Sequence, residues 1–193
     1  MIFRIDDVSQ NTDMTELQDI VKVILERFPY AEIWYCVNPI CKTSFDGSVY
    51  PGVPFKDREN LFFYNVNASF SDERVWRLKT SGKIVSHGLL HADHSRLQYD
   101  AQEMSIVTSC NLLNTAIFVP PFNRWNQVTE AVCRINNIRL VKPEDGWKSL
   151  EHEEFNDKHK LWYFHPWKWS ANWFKEKLGP INRQFQDHFD FSA

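Results

Sequence analysis

Apolar positions along this chain follow two rhythms, short continuous runs and stripes at helical spacing, and the two alternate. Residues 1–5 read as a strand that ends at the paired acids Asp6-Asp7. Leu17, Ile20, Val21, Ile24 and Phe28 recur at helical spacing behind a capping-box-like start at Asp13 and Glu16, and Pro29 stops that helix. Residues 31–37 are apolar and aromatic enough for a second strand. Residues 38–60 hold three prolines, two glycines and no sustained period, which predicts a long loop, and 61–66 read as a strand. A helix is expected from Ser71 to about Thr80, closed by Gly82, with a strand over 83–86.

Asp100 and Glu103 open a further capped helix that runs to about Asn114. Residues 115–119 form a buried-type strand terminated by Pro120-Pro121. Asn126 caps a helix with Val128, Ala131, Val132 and Ile135 on one face. Strands over 138–141 and 161–164 and a helix over 170–178, closed by Gly179-Pro180, complete the chain. This alternation predicts an α/β fold with parallel strands, as a sheet or a barrel. In such folds the loops leaving the carboxyl ends of the strands build the active site. Asp6-Asp7, the His87 segment, Pro120-Pro121-Phe122 and His165 all fall at predicted strand ends. Four features distant in sequence are therefore sent to one rim.

Bulk properties narrow the function classes. A length of 193 residues is most simply one domain, and 43% hydrophobic with 24% charged residues is ordinary for a soluble globular protein. The aromatic share of 15%, with eight Trp, leaves room for rings that line a sugar or ligand surface, although the core is the default for any single ring. A net charge of -3 and the absence of a Lys/Arg run give no electrostatic case for nucleic acid. No apolar stretch approaches the roughly 20 residues that span a bilayer. The opening MIFRIDDVSQ carries two acids where a signal peptide carries an apolar run, so a cytoplasmic location is expected. Cys36, Cys41, Cys110 and Cys133 are then reduced thiols, and none sits in a CxxC pair that would make a zinc knuckle.

The histidines concentrate in SHGLLHADHS, which holds three of the seven in the chain. On a helical turn, His87 and His91 at i and i+4 share a face and can reach one cation. Alone this spacing is equally well a surface or capping pattern. His94 is either a third ligand or a supporting or surface residue. Asp6-Asp7 supplies the missing carboxylate: one acid can bind a metal while the other accepts a proton from water. Helix capping is the bland alternative for these acids, but Asp13 already offers the better cap. The stiff stretch 119–123 can hold the Phe122 amide toward a substrate oxygen. His165, in YFHPWKWS, can protonate a leaving group, with Trp162, Trp167 and Trp169 available to line a pocket. Asp145 can orient His165, and Glu144 is an equally close acid in sequence.

In order, R-I-D-D, H-G-L-L-H, F-V-P-P-F-N and the late His165 resemble the motif series of the polysaccharide deacetylases (NodB-homology, carbohydrate esterase family 4, or CE4). The resemblance runs from residue 4 to about 167, nearly the whole chain. It implies a single domain over 1–193 with a distorted (β/α)7-type barrel and a metal-dependent deacetylase site. It also implies Asp6 as general base, Asp7, His87 and His91 as metal ligands, the Phe122 backbone in the oxyanion site, and His165 as general acid with Asp145 orienting it. Pro121, Asn123, Trp125 and Trp167 are the candidate substrate-binding residues. The cofactor implied is a divalent metal ion, zinc ahead of other first-row metals. The substrate implied is an acetylated sugar, whether nucleotide-linked, lipid-linked or oligosaccharide, with surface-polysaccharide or O-antigen synthesis as the setting. The sequence departs from the family in three places. Val119 occupies the position of an Arg that holds the base, with Arg124 or Asn123 as possible stand-ins; Arg4-Ile5 replaces Thr-Phe; and an insertion is expected around 38–60.

Two competing classes remain at this level. A carbohydrate-binding protein that kept the barrel but lost catalysis is motivated by Val119. A non-haem iron oxygenase is motivated by the two-histidine, one-carboxylate set. The second Asp and the separate His165 favour hydrolysis, because an oxygenase needs no such acid/base pair.

Overall fold

A computed structural model describes residues 1–9, 12–39 and 72–179. Seven strands form one sheet, all neighbours parallel, in the order β5-β4-β3-β2-β1-β7-β6. They are β1 (Ile2–Val8), β2 (Glu32–Val37), β3 (Lys83–Ser86), β4 (Ile117–Phe118), β5 (Arg139–Leu140), β6 (Lys148–Ser149) and β7 (Leu161–Phe164). Five α-helices accompany them among the described residues: α1 (Met14–Arg27), α2 (Asp72–Lys79), α3 (Tyr99–Leu113), α4 (Gln127–Ile135) and α5 (Ala171–Lys177). The sheet curls into a half-barrel whose edge strands β5 and β6 are not paired with each other. This is the α/β single-domain architecture expected of a distorted (β/α)7 barrel.

The two faces of each strand separate two kinds of core. Phe3 and Ile5 of β1 and Trp162 and Phe164 of β7 point outward, into a cluster with Leu17, Ile20 and Ile24 of α1 and Phe174 of α5. The opposite face turns inward, where Trp34, Cys36, Val85, Ile117, Val119 and Val141 fill the barrel. Period-two alternation assigns Arg4 to this inner face, where it is fully buried. Each buried aliphatic or aromatic side chain contributes about 1.5–3 kcal/mol, so the outer cluster anchors the rim residues that β1 and β7 carry.

Several local expectations change. Asp13 does cap α1, accepting from the Thr15 and Glu16 amides. Glu16, however, accepts from the Ala171 amide at the start of α5 and so ties two helices together. Gln98, without a side-chain bond, stands at the N-cap of α3, and Asp100 lies inside its first turn. Asn126 and Thr129 form a full capping box on α4, but Ile135 is 62% exposed, and the apolar face is Val132 and Cys133 with Val128 packed against them. The two-residue β6 had no pattern to announce it. The predicted strand over 61–66 and most of the long loop lie outside the described residues. Cys36, Cys110 and Cys133 are buried free thiols. No described helix is long and apolar enough to cross a membrane.

Candidate metal centre and its flanking acid and base

β1 does not stop at the paired acids. It runs on to Val8, with a register irregularity against β2 between Ile5 and Val8. Asp7 takes the left-handed conformation there, φ 60°. A bulge of this kind re-aims side chains at a strand end. It lets two neighbouring carboxylates, both nearly fully buried, meet different partners. Asp6 Oδ2 accepts from Arg4 Nη2 at 2.8 Å. Asp7 turns to the histidines.

His87 and His91 come together, but not on a helix. β3 ends at Ser86, and Gly88, at φ 82°, breaks the chain direction. A non-helical turn then brings His91 back, so the i, i+4 spacing works through a loop. Asn38, at the end of β2, donates to the carbonyls of His87 (2.5 Å) and Gly88 (3.2 Å) and fixes this loop from beneath. His94 completes the support. It is fully buried, its Nδ1 lies 2.9 Å from the Ala92 carbonyl and its Nε2 3.0 Å from Ser105 Oγ, which also accepts from the Leu89 amide. Burial pushes the His94 pKa down to about 4. His94 is therefore neither a ligand nor a surface residue; it is the peg on which the ligand loop hangs.

Asp7 Oδ1 lies 3.2 Å from His87 Nε2 and 2.7 Å from His91 Nε2. One ligand atom from each of the three buried residues lies within 4.8 Å of the others. His87 Nδ1 is 2.8 Å from the Val119 carbonyl oxygen, which only an N–H satisfies. In the neutral ring Nε2 then carries the lone pair, facing a carboxylate oxygen. Two acceptors at that distance repel unless a proton or a cation lies between them. The donor set therefore fits a divalent ion held by two imidazoles and one carboxylate. Burial raises the Asp7 pKa, but the neighbouring His91 and His87 outweigh it and hold the carboxyl well below its usual range. The Trp167 indole donates to the other oxygen, Asp7 Oδ2, at 3.2 Å.

On the β7 side, His165 follows the strand and points Nε2 to within 3.8 Å of Asp7 Oδ2. Its orienting acid is Glu151, whose Oε1 accepts from both the His165 backbone amide and Nδ1, each at 2.7 Å. Asp145 does not fill that role: its carboxylate accepts from the Lys142 amide and closes its own turn. Burial pulls the His165 pKa down, but the bond to Glu151 and the charges of Asp7 and Asp6 raise it overall. Glu151 is itself pushed up by burial yet settles at about 2 beside His165 and Lys168. The sequence signal for Glu151 was weak, because it is one of six acids between residues 144 and 157 and no motif singles it out.

The Pro121–Asn123 turn closes the rim. Its amides at Asn123 and Arg124 bond to the carbonyls of Pro120 and Pro121. Phe122 (φ 59°) and Asn123 (φ 54°) are both left-handed, a strained pair of the kind that persists where surroundings over-determine it. The Phe122 ring packs on His91 with centroids 4.6 Å apart. Asn123 Oδ1 accepts from Arg4 Nη2 at 2.8 Å. Arg124 pairs with Asp93 and not with Asp6. Trp125 lies under Lys142 Nζ, 4.2 Å from its ring centroid, and Lys142 pairs with Glu130. Of the three late tryptophans only Trp167 meets the centre; Trp162 is core, and Trp169 stacks on Trp173.

No family model matches the sequence, and no curated protein matches it. Solved structures do share its fold. The Bc1960 peptidoglycan N-acetylglucosamine deacetylase superposes with TM-score 0.57 at 10% identity, over 92% of this chain and 79% of that one. A family 4 carbohydrate esterase from Streptomyces lividans, in complex with acetate, gives 0.52 at 9% identity, over 89% and 80%. BA3943 from Bacillus anthracis, a CE4 family pseudoenzyme, gives 0.54 at 9% identity and covers 86% of this chain. The match takes in 54% of that protein, so the present chain spans about half its length. The fold is that of the CE4 deacetylases and their inactive relatives.

Proposed function

We propose, starting from that fold, that the protein is a metal-dependent hydrolase that removes an acetyl group from an N-acetylated, or O-acetylated, sugar. One observation carries the reading. The Asp7–His87–His91 cluster is flanked by two proton-transfer groups that have separate partners, Asp6 on Arg4 and His165 on Glu151. Fold alone does not decide activity, since solved relatives include enzymes and a pseudoenzyme. The acid/base pair does favour it.

A divalent ion, zinc or another first-row metal, held by Asp7, His87 and His91 would supply Lewis acidity to the acyl oxygen and to water. The chain supplies the rest. Asp6 takes the proton of the attacking water. The Phe122 amide, set by its left-handed turn, donates to the oxygen that gains charge. His165, with Nδ1 bonded to Glu151, offers its Nε2 proton to the departing amine or hydroxyl. Phe122 and Trp167, 39% and 43% exposed beside the centre, present apolar faces on which a sugar ring can lie. Nucleotide-linked, lipid-linked and oligosaccharide forms all suit such a platform, and cytoplasmic synthesis of surface polysaccharide or O-antigen is the proposed setting.

Metal analysis of purified protein, followed by acetate release from N-acetylated sugars, tests this reading. Stoichiometric metal that is lost in His91→Ala, together with acetate release, supports it. Bound iron with oxygen consumption and no acetate would point to an oxygenase instead.

A further inference from the structure

Arg4 stands out among the inward-facing residues, because it is a charged side chain fully buried beside the apolar cluster of Trp34, Cys36 and Val85. Its guanidinium carbon lies 4.9 Å from the Trp147 ring centroid and 4.7 Å from that of Tyr163, the second ring coming from β7. Nε and Nη1 meet no hydrogen-bond partner among the described residues. Nη2 alone makes two bonds, to Asp6 Oδ2 and to Asn123 Oδ1, each 2.8 Å. As a packing element this is a poor choice. A buried ion pair commonly contributes no more than an apolar filling of the same volume, and unpartnered donors worsen the comparison.

The arrangement makes sense as a positioning device. Arg4 and Asp6 lie two apart on one strand, so both side chains leave the same face. The bond to Oδ2 fixes the rotation of the Asp6 carboxyl and leaves Oδ1, which is buried and without a hydrogen-bond partner among the described residues, as the oxygen to take a proton. The same nitrogen holds Asn123, whose left-handed backbone adjoins that of Phe122. One guanidinium nitrogen thus sets both the proposed base and the turn that carries the proposed oxyanion donor. Val119, in contrast, sends its side chain into the apolar barrel interior, and Arg124 is engaged by Asp93.

We infer that Arg4 is the residue that positions the base, anchored on β1 and coupling Asp6 to the Phe122–Asn123 turn. The inference rests on the deacetylase reading for its catalytic meaning, but the coupling itself is a property of the chain's own residues. Lysine is not equivalent, since a point charge lacks the flat guanidinium that lies against two rings.

Arg4→Met fills the same space without the bonds. If Arg4 positions the base, the variant keeps metal content and KM within about two-fold while kcat falls about 100-fold, the scale of a slightly misplaced catalytic group. Its melting temperature is expected to fall, because buried Asp6 and part-buried Asn123 Oδ1 are left without their donor. Asn123→Gly allows the left-handed backbone and removes the side chain that Arg4 holds, and is expected to lower kcat about 10-fold. The double variant should be no slower than Arg4→Met alone, since both act through one contact. Amide hydrogen exchange reads the coupling without turnover: the Asn123 and Arg124 amides should exchange at least about ten-fold faster in Arg4→Met, with α1 unchanged. Full kcat in a metal-replete Arg4→Met, or unchanged exchange in that turn, overturns the inference. Should Arg4→Met not fold, Asn123→Gly decides: undiminished kcat with unchanged Arg124 exchange overturns it. Wild type that loads metal but releases no acetate instead removes the deacetylase reading, and the exchange result still decides the coupling.

Discussion

Glu151 Oε1 receives the backbone amide and the Nδ1 of His165 at the same distance, 2.7 Å, so one carboxylate oxygen fixes both the position and the ring orientation of the proposed acid. A bond from Nδ1 leaves the Nε2 proton as the one that can be given away.

The consequence is a pH effect with a definite sign. Burial lowers the His165 pKa, and Glu151 is the first of the groups that raise it. Glu151→Gln removes that charge, so His165 loses its proton at lower pH than in wild type. The alkaline limb of kcat/KM should move to lower pH, and kcat should fall about 10- to 100-fold. A pH–rate profile checks this; an unmoved alkaline limb would mean that His165 is not the acid.

His94 makes a stability prediction of opposite sense. Its native pKa of about 4 lies below the ordinary 6.5, so the fold prefers the neutral ring. The stabilisation is fully present above pH 6.5 and is lost progressively as pH falls from 6.5 toward 4, by about 3 kcal/mol in all. Urea unfolding of the metal-free protein at several pH values measures the decline. His94→Gln should flatten it over that window, and an equally steep decline in the variant would assign it to other groups.

Gly88 is the second constraint on the ligand loop. Its φ is +82°, and an added Cβ would lie 2.8 Å from His94 Cε1. Gly88→Ala is expected to cost about 1–3 kcal/mol and to shift His87 and His91 together. Thermal melts and metal titration should report a lower melting temperature and weaker binding. Wild-type values for both would show that the loop has room to relax.

Trp167 donates to Asp7 Oδ2, the oxygen that His87 and His91 do not use. Trp167→Phe keeps a ring on the rim and removes the donor. Metal affinity, measured by chelator competition, should drop about 10-fold, while KM for sugar changes little. Unchanged affinity with a raised KM would confine Trp167 to the substrate platform.

How much of this was readable in advance follows from the range of the interactions. Lys83–Ser86 and Leu161–Phe164 are strands where the apolar runs put them, because each strand's burial is written locally. The convergence of Asp7, His87, His91 and His165 followed from parallel strand ends alone. The bulge at Asp7 was hidden, since a left-handed aspartate carries no glycine to mark it. Asp145 lies ahead of β6, whereas pairing of Ser149 with Tyr163 sets β6 beside β7 and delivers Glu151, just after β6, to His165 instead. Arg4 did leave a trace: an arginine inside an apolar strand, two residues before the base, has to point where the base points.

Asp6→Asn is the most direct test of the central claim, because it changes the proposed base while leaving Asp7, His87 and His91 in place. The measurement is acetate release from an N-acetylated sugar by wild type and variant, with bound metal quantified in the same samples. The account predicts metal in both proteins, acetate from the wild type, and at least about a 100-fold slower release from Asp6→Asn. Equal acetate release from both at equal metal content would contradict it.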